Sequence, residues 1–168
     1  MTNGRTIAAC GLSLLVCAWA GEGRADDAPW PRLGGHVGAV LPLYMADASG
    51  SHGISDFVTI AIAAGVTVKL SDVVAVDFET VVGEPLVPKG GTTGLTVNPG
   101  LVFDLGPIAL GLRLAYQVGA PPNIGAIPLV HKGLPLGPVS WFIEADFPVF
   151  DEDGQAAFTA ALHTGVGF

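Results

Sequence analysis

Hydrophobic and polar residues alternate along most of this chain with a period of two, the spacing of strands that keep one face in an apolar medium. The clearest stretch is Phe57 to Leu70. Val58, Ile60, Ile62, Ala64, Val66, Val68 and Leu70 share one face, and Phe57, Thr59, Ala61, Ala63, Gly65, Thr67 and Lys69 share the other. Pro107 to Gly119 repeats the pattern, with Ile108, Leu110, Leu112, Leu114, Tyr116 and Val118 opposed by Ala109, Gly111, Arg113, Ala115, Gln117 and Gly119. Six further segments fit less cleanly, led by Val37, Val74, Leu95, Ile124, Val139 and Phe158. The one from Ile124 to Lys132 is the weakest, because Pro128 interrupts it and neither face is cleanly apolar.

Eight strands result, most near the ~9–11 residues that a tilted strand needs to cross a bilayer. Their connections mostly alternate in length. Ser71-Asp72, Leu105-Gly106 and Leu134 to Gly137 are short turns, while Met45 to Asp56, Gly83 to Gly94 and Asp151 to Gln155 are longer or more polar; Ala120 to Asn123 is a short exception. An even-stranded antiparallel up-and-down barrel has this asymmetry between its ends. Pro42, Pro99, Pro128 and Pro148 lie inside predicted strands. Each forfeits a ladder hydrogen bond, so bulges or bends are expected there.

Alternation alone does not say which face is inside, because a soluble lipocalin-like barrel also alternates, with its apolar face inward. The other face would then have to meet water. It is dominated by Ala61, Ala63, Gly65, Ala109, Gly111, Ala115, Gly119, Ala157, Ala161, Gly165 and Gly167. Soluble surfaces carry about 25–35% charged residues. Turned the other way, small residues and a few polar ones fill the narrow interior of eight strands, and Leu, Ile, Val and Phe face lipid. Composition agrees: 50% of residues are hydrophobic and 13% charged, against about 25% charged in an average soluble domain. No helix-length apolar run accounts for the excess, because Gly, Pro or a charge breaks each one in the body of the chain.

The N-terminus reads as a secretion signal, with Arg5 before an apolar run from Ile7 to Trp19. Cleavage is expected after Ala25, with Ala20 as the other small-residue site. The expected organisation is a signal over residues 1–25, a periplasmic segment over 26–34 and the barrel over 35–168. Cys10 and Cys17 fall inside the signal, so the mature chain would have no thiol chemistry. It would keep 5 Lys and Arg against 14 Asp and Glu, a net charge of −9. That balance disfavours nucleic acid as a partner, which requires a basic patch.

The chain resembles the small eight-stranded outer-membrane barrels of the OmpA/OmpX/OmpW type, from about Gly35 to Phe168. The most specific element is the last strand, Phe158 to Phe168, which ends in an aromatic residue with Val166 and Thr164 on the same face. The resemblance implies placement in a bacterial outer membrane and contact with its lipid. It also implies that Thr164, Val166 and Phe168 form the signal read by the barrel-insertion machinery.

By parity Lys69, Asp77, Glu79, Asp104, Arg113, Glu144, Asp146 and His163 face the interior. A salt-bridged plug is the favoured reading, with Arg113 neutralising Asp77, Glu79 or Glu144, since a buried charge needs a partner. The acid excess points to raised carboxylate pKa values or to water access. A catalytic set would need a nucleophile beside a base and an orienting acid. Ser140 is the only mature serine within a predicted strand, and no histidine adjoins it in sequence; Ser51, His52 and Asp56 share a loop. No His or Cys pair has metal-ligand spacing, and Asp151-Glu152-Asp153-Gly154 reads as turn chemistry. No cofactor or metal is expected. The expected role is structural or passive small-solute transport without catalysis. A lipid-modifying membrane enzyme, a soluble binding barrel and a loop-mediated recognition protein are the alternatives.

Overall fold

A computed structural model of the chain describes residues 29–88, 93–119, 123–152 and 154–168. The predicted signal with both cleavage sites, residues 26–28 of the predicted periplasmic segment, residues 89–92 of the predicted Gly83 to Gly94 loop, residues 120–122 of the short connection and Asp153 of the acidic loop lie outside the described residues.

Ten strands form one antiparallel sheet: β1 (Arg32–Asp47), β2 (Gly50–Gly53), β3 (Val58–Lys69), β4 (Val74–Val87), β5 (Gly94–Asp104), β6 (Ala109–Val118), β7 (Asn123–Leu136), β8 (Val139–Asp146), β9 (Val149–Glu152) and β10 (Gln155–Gly167). The sheet closes where β1 pairs with β10, from His36 opposite Gly167 to Ala46 opposite Phe158. β8 and β9 are two halves of one spanning strand, so the barrel has eight strands. β2 is a short return on the end of β1, with Asp47 opposite Gly50. The described residues contain no helix.

Proline accounts for most irregularities. The β1–β10 register shifts between Pro42 and Tyr44. The β5–β6 ladder skips from Val97 to Gly100, passing Pro99. The gap between β8 and β9 falls at Phe147 and Pro148, opposite Pro128 of β7. There β8 pairs with β7 up to Leu129, and β9 resumes at Ala126. Neither proline can donate to the ladder. The Phe147 amide still reaches the Pro128 carbonyl at 2.9 Å, and Thr159 N donates to Pro148 O at 2.8 Å. The weakly patterned sixth spanning strand, β7, pairs with β6 without interruption from Asn123 to His131.

Several boundaries differ from the sequence reading. β1 begins at Arg32, inside the segment expected to precede the barrel, and runs to Asp47. Part of the predicted loop after Met45 is the β1–β2 hairpin. β4 continues to Val87. In each case backbone pairing outlasts the alternation of side chains. Three turns close the opposite end, at residues 70–73, 105–108 and 137–138. Gly106 and Gly137 there take positive φ angles of 90° and 65°, which glycine adopts without steric penalty.

The wall is apolar outward. Ile62 is 57% exposed, Leu112 53% and Leu114 61%. Inward, Ala61, Ala63, Ala115, Ala157 and Ala161 are buried beside a set of charged residues. Trp141 stands on the outer surface, and its indole N–H donates to Thr164 Oγ1 at 2.9 Å. Thr164 in turn donates to Phe142 O at 2.8 Å. An indole N–H set on an apolar wall gains from such a partner.

Candidate functional site

Every spanning strand sends a side chain to one interior cluster. β6 supplies Arg113, the only guanidinium in it. Its Nε donates to Asp77 Oδ2 at 2.8 Å and its Nη1 to Glu144 Oε1 at 2.7 Å. The same Nη1 lies 3.7 Å from Glu79 Oε1 and 3.9 Å from Asp146 Oδ1. From β4, Asp77 also accepts from Thr67 of β3 at 2.6 Å, and Glu79 accepts from Asn98 Nδ2 of β5 at 3.1 Å.

Three imidazoles complete the set. His36 Nε2 of β1 lies 3.1 Å from Glu79 Oε2. His131 Nδ1 of β7 lies 3.0 Å from Glu144 Oε2. His163 Nδ1 of β10 lies 3.2 Å from Glu144 Oε1 and 3.7 Å from both Glu79 Oε2 and Asp146 Oδ2. Phe142 of β8 packs among them, with ring centroids 4.9 Å from His163, 5.2 Å from His131 and 5.9 Å from His36. The charges are buried, so each hydrogen bond offsets a desolvation cost that water would otherwise cover.

Glycines on the same inward rows make space for these side chains. A Cβ on Gly100 would lie 2.6 Å from Arg113 Cγ, one on Gly65 2.3 Å from His36 Cε1, and one on Gly38 2.7 Å from His163 Nε2. The Ala/Gly row is thus matched to the large polar groups opposite it. Changing Gly38 to Ala is expected to lower stability by roughly 1–3 kcal/mol, because the methyl also meets the Thr164 carbonyl and the core has little slack. A urea midpoint indistinguishable from the parent would contradict this.

Six of the eight residues assigned inward by parity meet in the cluster: Asp77, Glu79, Arg113, Glu144, Asp146 and His163. Lys69 and Asp104 do not. They share the inward parity but stand exposed at the turn end, where Asp104 accepts from the Gly106 amide at 2.8 Å. The sequence reading missed His36, His131 and Asn98 as cluster members. His36 lies one step before the first clearly alternating residue, Val37, and His131 sits on the strand that Pro128 obscured. Continuing the parity outward from Val37 would have found His36.

A cavity of about 450 Å³ opens at the turn end and reaches down to His36, Asp77, Arg113, Glu144 and His163. On the far side, Phe57, Ala61 and Ala157 are buried inside the barrel, while Ile127 and Leu129 pack at the level of Arg113 and Asp146. Water thus has a route to the cluster from one end.

Among the described residues a serine–histidine contact occurs at the loop end. Ser49 Oγ lies 3.1 Å from His52 Nε2 and donates to Asp47 Oδ1 at 2.6 Å. Together with the Ser49 amide, that hydroxyl holds the exposed Asp47 carboxyl below its ordinary range. The Ser49 hydroxyl hydrogen is therefore directed at the ionised Asp47 carboxylate, whereas an activated serine would donate it to the histidine.

No family model matches the chain, and no curated protein does. Among solved structures it is similar to Ail, the attachment invasion locus protein of Yersinia pestis, whose crystal structure is in complex with the heparin analogue sucrose octasulfate. Identity is 11%, over 81% of this chain and 97% of that chain, with a TM-score of 0.48. The chain itself is a closed eight-stranded antiparallel barrel with an apolar wall and an ion-paired interior.

Proposed function

We propose that this chain is a bacterial outer-membrane barrel with a structural role, its interior plugged by the Arg113 cluster and without catalytic activity. The observation that carries the reading is the inversion of its faces. Leu, Ile, Val and Phe cover the outside, while Asp77, Glu79, Arg113, Glu144 and His163 are buried within. Such a wall suits hydrocarbon and would aggregate in water. Closure leaves no unpaired strand edge in the lipid. The last strand, with Thr164, Val166 and Phe168 facing outward, is the segment expected to engage the insertion machinery.

A structural role is favoured over solute transport because the cavity stops at the cluster. The geometry of Ser49, whose hydroxyl donates to Asp47 rather than to His52, gives no support to a serine nucleophile there. Two measurements test the proposal together. The membrane fraction should contain the protein, and on detergent gels it should migrate anomalously until boiled. In planar bilayers it should give no stepwise conductance of porin size. Recovery in the soluble fraction without a heat-dependent shift would overturn the membrane placement, and steady open-channel steps would overturn the plug.

A further inference from the structure

We propose that the interior cluster beneath the turn-end cavity, where Glu144 and His163 line the cavity, binds one divalent transition-metal cation of the zinc type, held by His163, Glu79 and Glu144 with Asp146 completing the set. Its donors come from β4, β8 and β10, which is why no sequence spacing signals it. The donor atoms of Glu79, Glu144 and His163 all lie within 4.8 Å of one another. From His163 Nδ1 the carboxylate oxygens stand at 3.2 Å for Glu144 and 3.7 Å for Glu79 and Asp146. Metal–ligand bonds of about 2.0–2.2 Å in tetrahedral geometry place neighbouring donors roughly 3.3–3.6 Å apart. The side chains therefore need little movement to close on an ion.

A second observation is independent of that proximity. Asp146, with its side chain only 8% exposed, points into the cluster, yet no hydrogen bond reaches its Oδ1. Buried carboxylate oxygens are rarely left so. Charge points the same way: four carboxylates face a single guanidinium, and Arg113 is engaged chiefly with Asp77 and Glu144. Glu79 Oε2 is met by His36 Nε2, but Asp146 stands 3.9 Å from Arg113 and 3.7 Å from His163, too far for a hydrogen bond to either. The mixture of imidazole and carboxylate suits zinc, cobalt or manganese better than calcium, which takes oxygen alone. The cavity supplies an entry path from the turn end. The inference does not depend on the barrel's location.

The test uses the full folded chain purified in detergent and stripped with a chelator. Equilibrium dialysis against Zn²⁺, followed by elemental analysis, should return about one ion per barrel. His163→Gln and Asp146→Asn should each weaken binding roughly tenfold or more, the scale of disturbing a metal's ligand set. Asp151→Asn, in the acidic hairpin, should leave it unchanged. Imidazole NMR of the unsubstituted chain locates the ion without relying on variants that fold: Zn²⁺ should move the His163 signals and leave those of the loop residue His52 in place. No bound zinc would overturn the proposal and leave protons as the neutralising charge. Binding that moves only His52, or that survives both substitutions, would also overturn it.

Discussion

Replacing Arg113 with leucine is expected to be the most damaging single change in the barrel, lowering stability by about 3–5 kcal/mol, the scale for removing one partner of a buried ion pair. The guanidinium reaches Asp77 through Nε and Glu144 through Nη1, and both carboxylates are almost completely buried. Leucine fills most of the volume, so the loss is electrostatic rather than a matter of packing. Total stabilities of 5–15 kcal/mol are typical, so a substantial share of the population should fail to reach the folded barrel after refolding. Arg113→Lys should recover only part of the loss, because an ammonium lacks the planar fork that serves two acids from one side. Adding Asp77→Asn and Glu144→Gln to Arg113→Leu should recover part of the stability, since the two carboxylates bonded to the guanidinium are then neutral while Glu79 and Asp146 remain. A urea midpoint for Arg113→Leu equal to the parent's would refute the assignment of Arg113 as the hub.

Leu112→Arg should come next, lowering stability by roughly 2–4 kcal/mol if the wall faces lipid, since that is the depth-dependent penalty for a cation near the bilayer midplane. Leu112 is outward on β6, next in sequence to the hub residue Arg113. Leu105 is similarly exposed but lies in a turn at the barrel end, so Leu105→Arg should change stability by only about 0–1 kcal/mol. A pair of unfolding curves in lipid vesicles separates the readings. A soluble barrel would tolerate both substitutions equally, since added surface charge is harmless in water.

The contrast between Asp77 and Asp104 shows what alternation can and cannot convey. Both have inward parity, yet one is buried against Arg113 and the other caps a turn. Parity fixes the face of a residue but not its depth, and depth follows from the stagger between strands, a long-range property. The hub was nonetheless readable, because Arg113 and His163 interrupt otherwise small inward rows. His131 was hidden for a local reason: Pro128 in β7 spoils the pattern without spoiling the β6–β7 ladder. The β2 hairpin was hidden for the opposite reason, since Gly50 to Gly53 pairs through backbone alone and buries no apolar side chain.

The seam between β1 and β10 has a consequence for how the chain comes to exist as a barrel. Its two partners lie near opposite ends of the described chain, with Gly35 and Phe168 exchanging backbone hydrogen bonds of 2.8 and 2.9 Å. Every chain still lacking β10 is an open ribbon with two bare edges and one greasy side. Contacts this distant in sequence form late and slowly, because the intervening polymer must first be gathered. Until the final strand arrives, the ribbon is exposed to pairing with other chains. The moment of greatest hazard for this protein is thus its unfinished state, and truncations within the last dozen residues should cause aggregation rather than a smaller barrel.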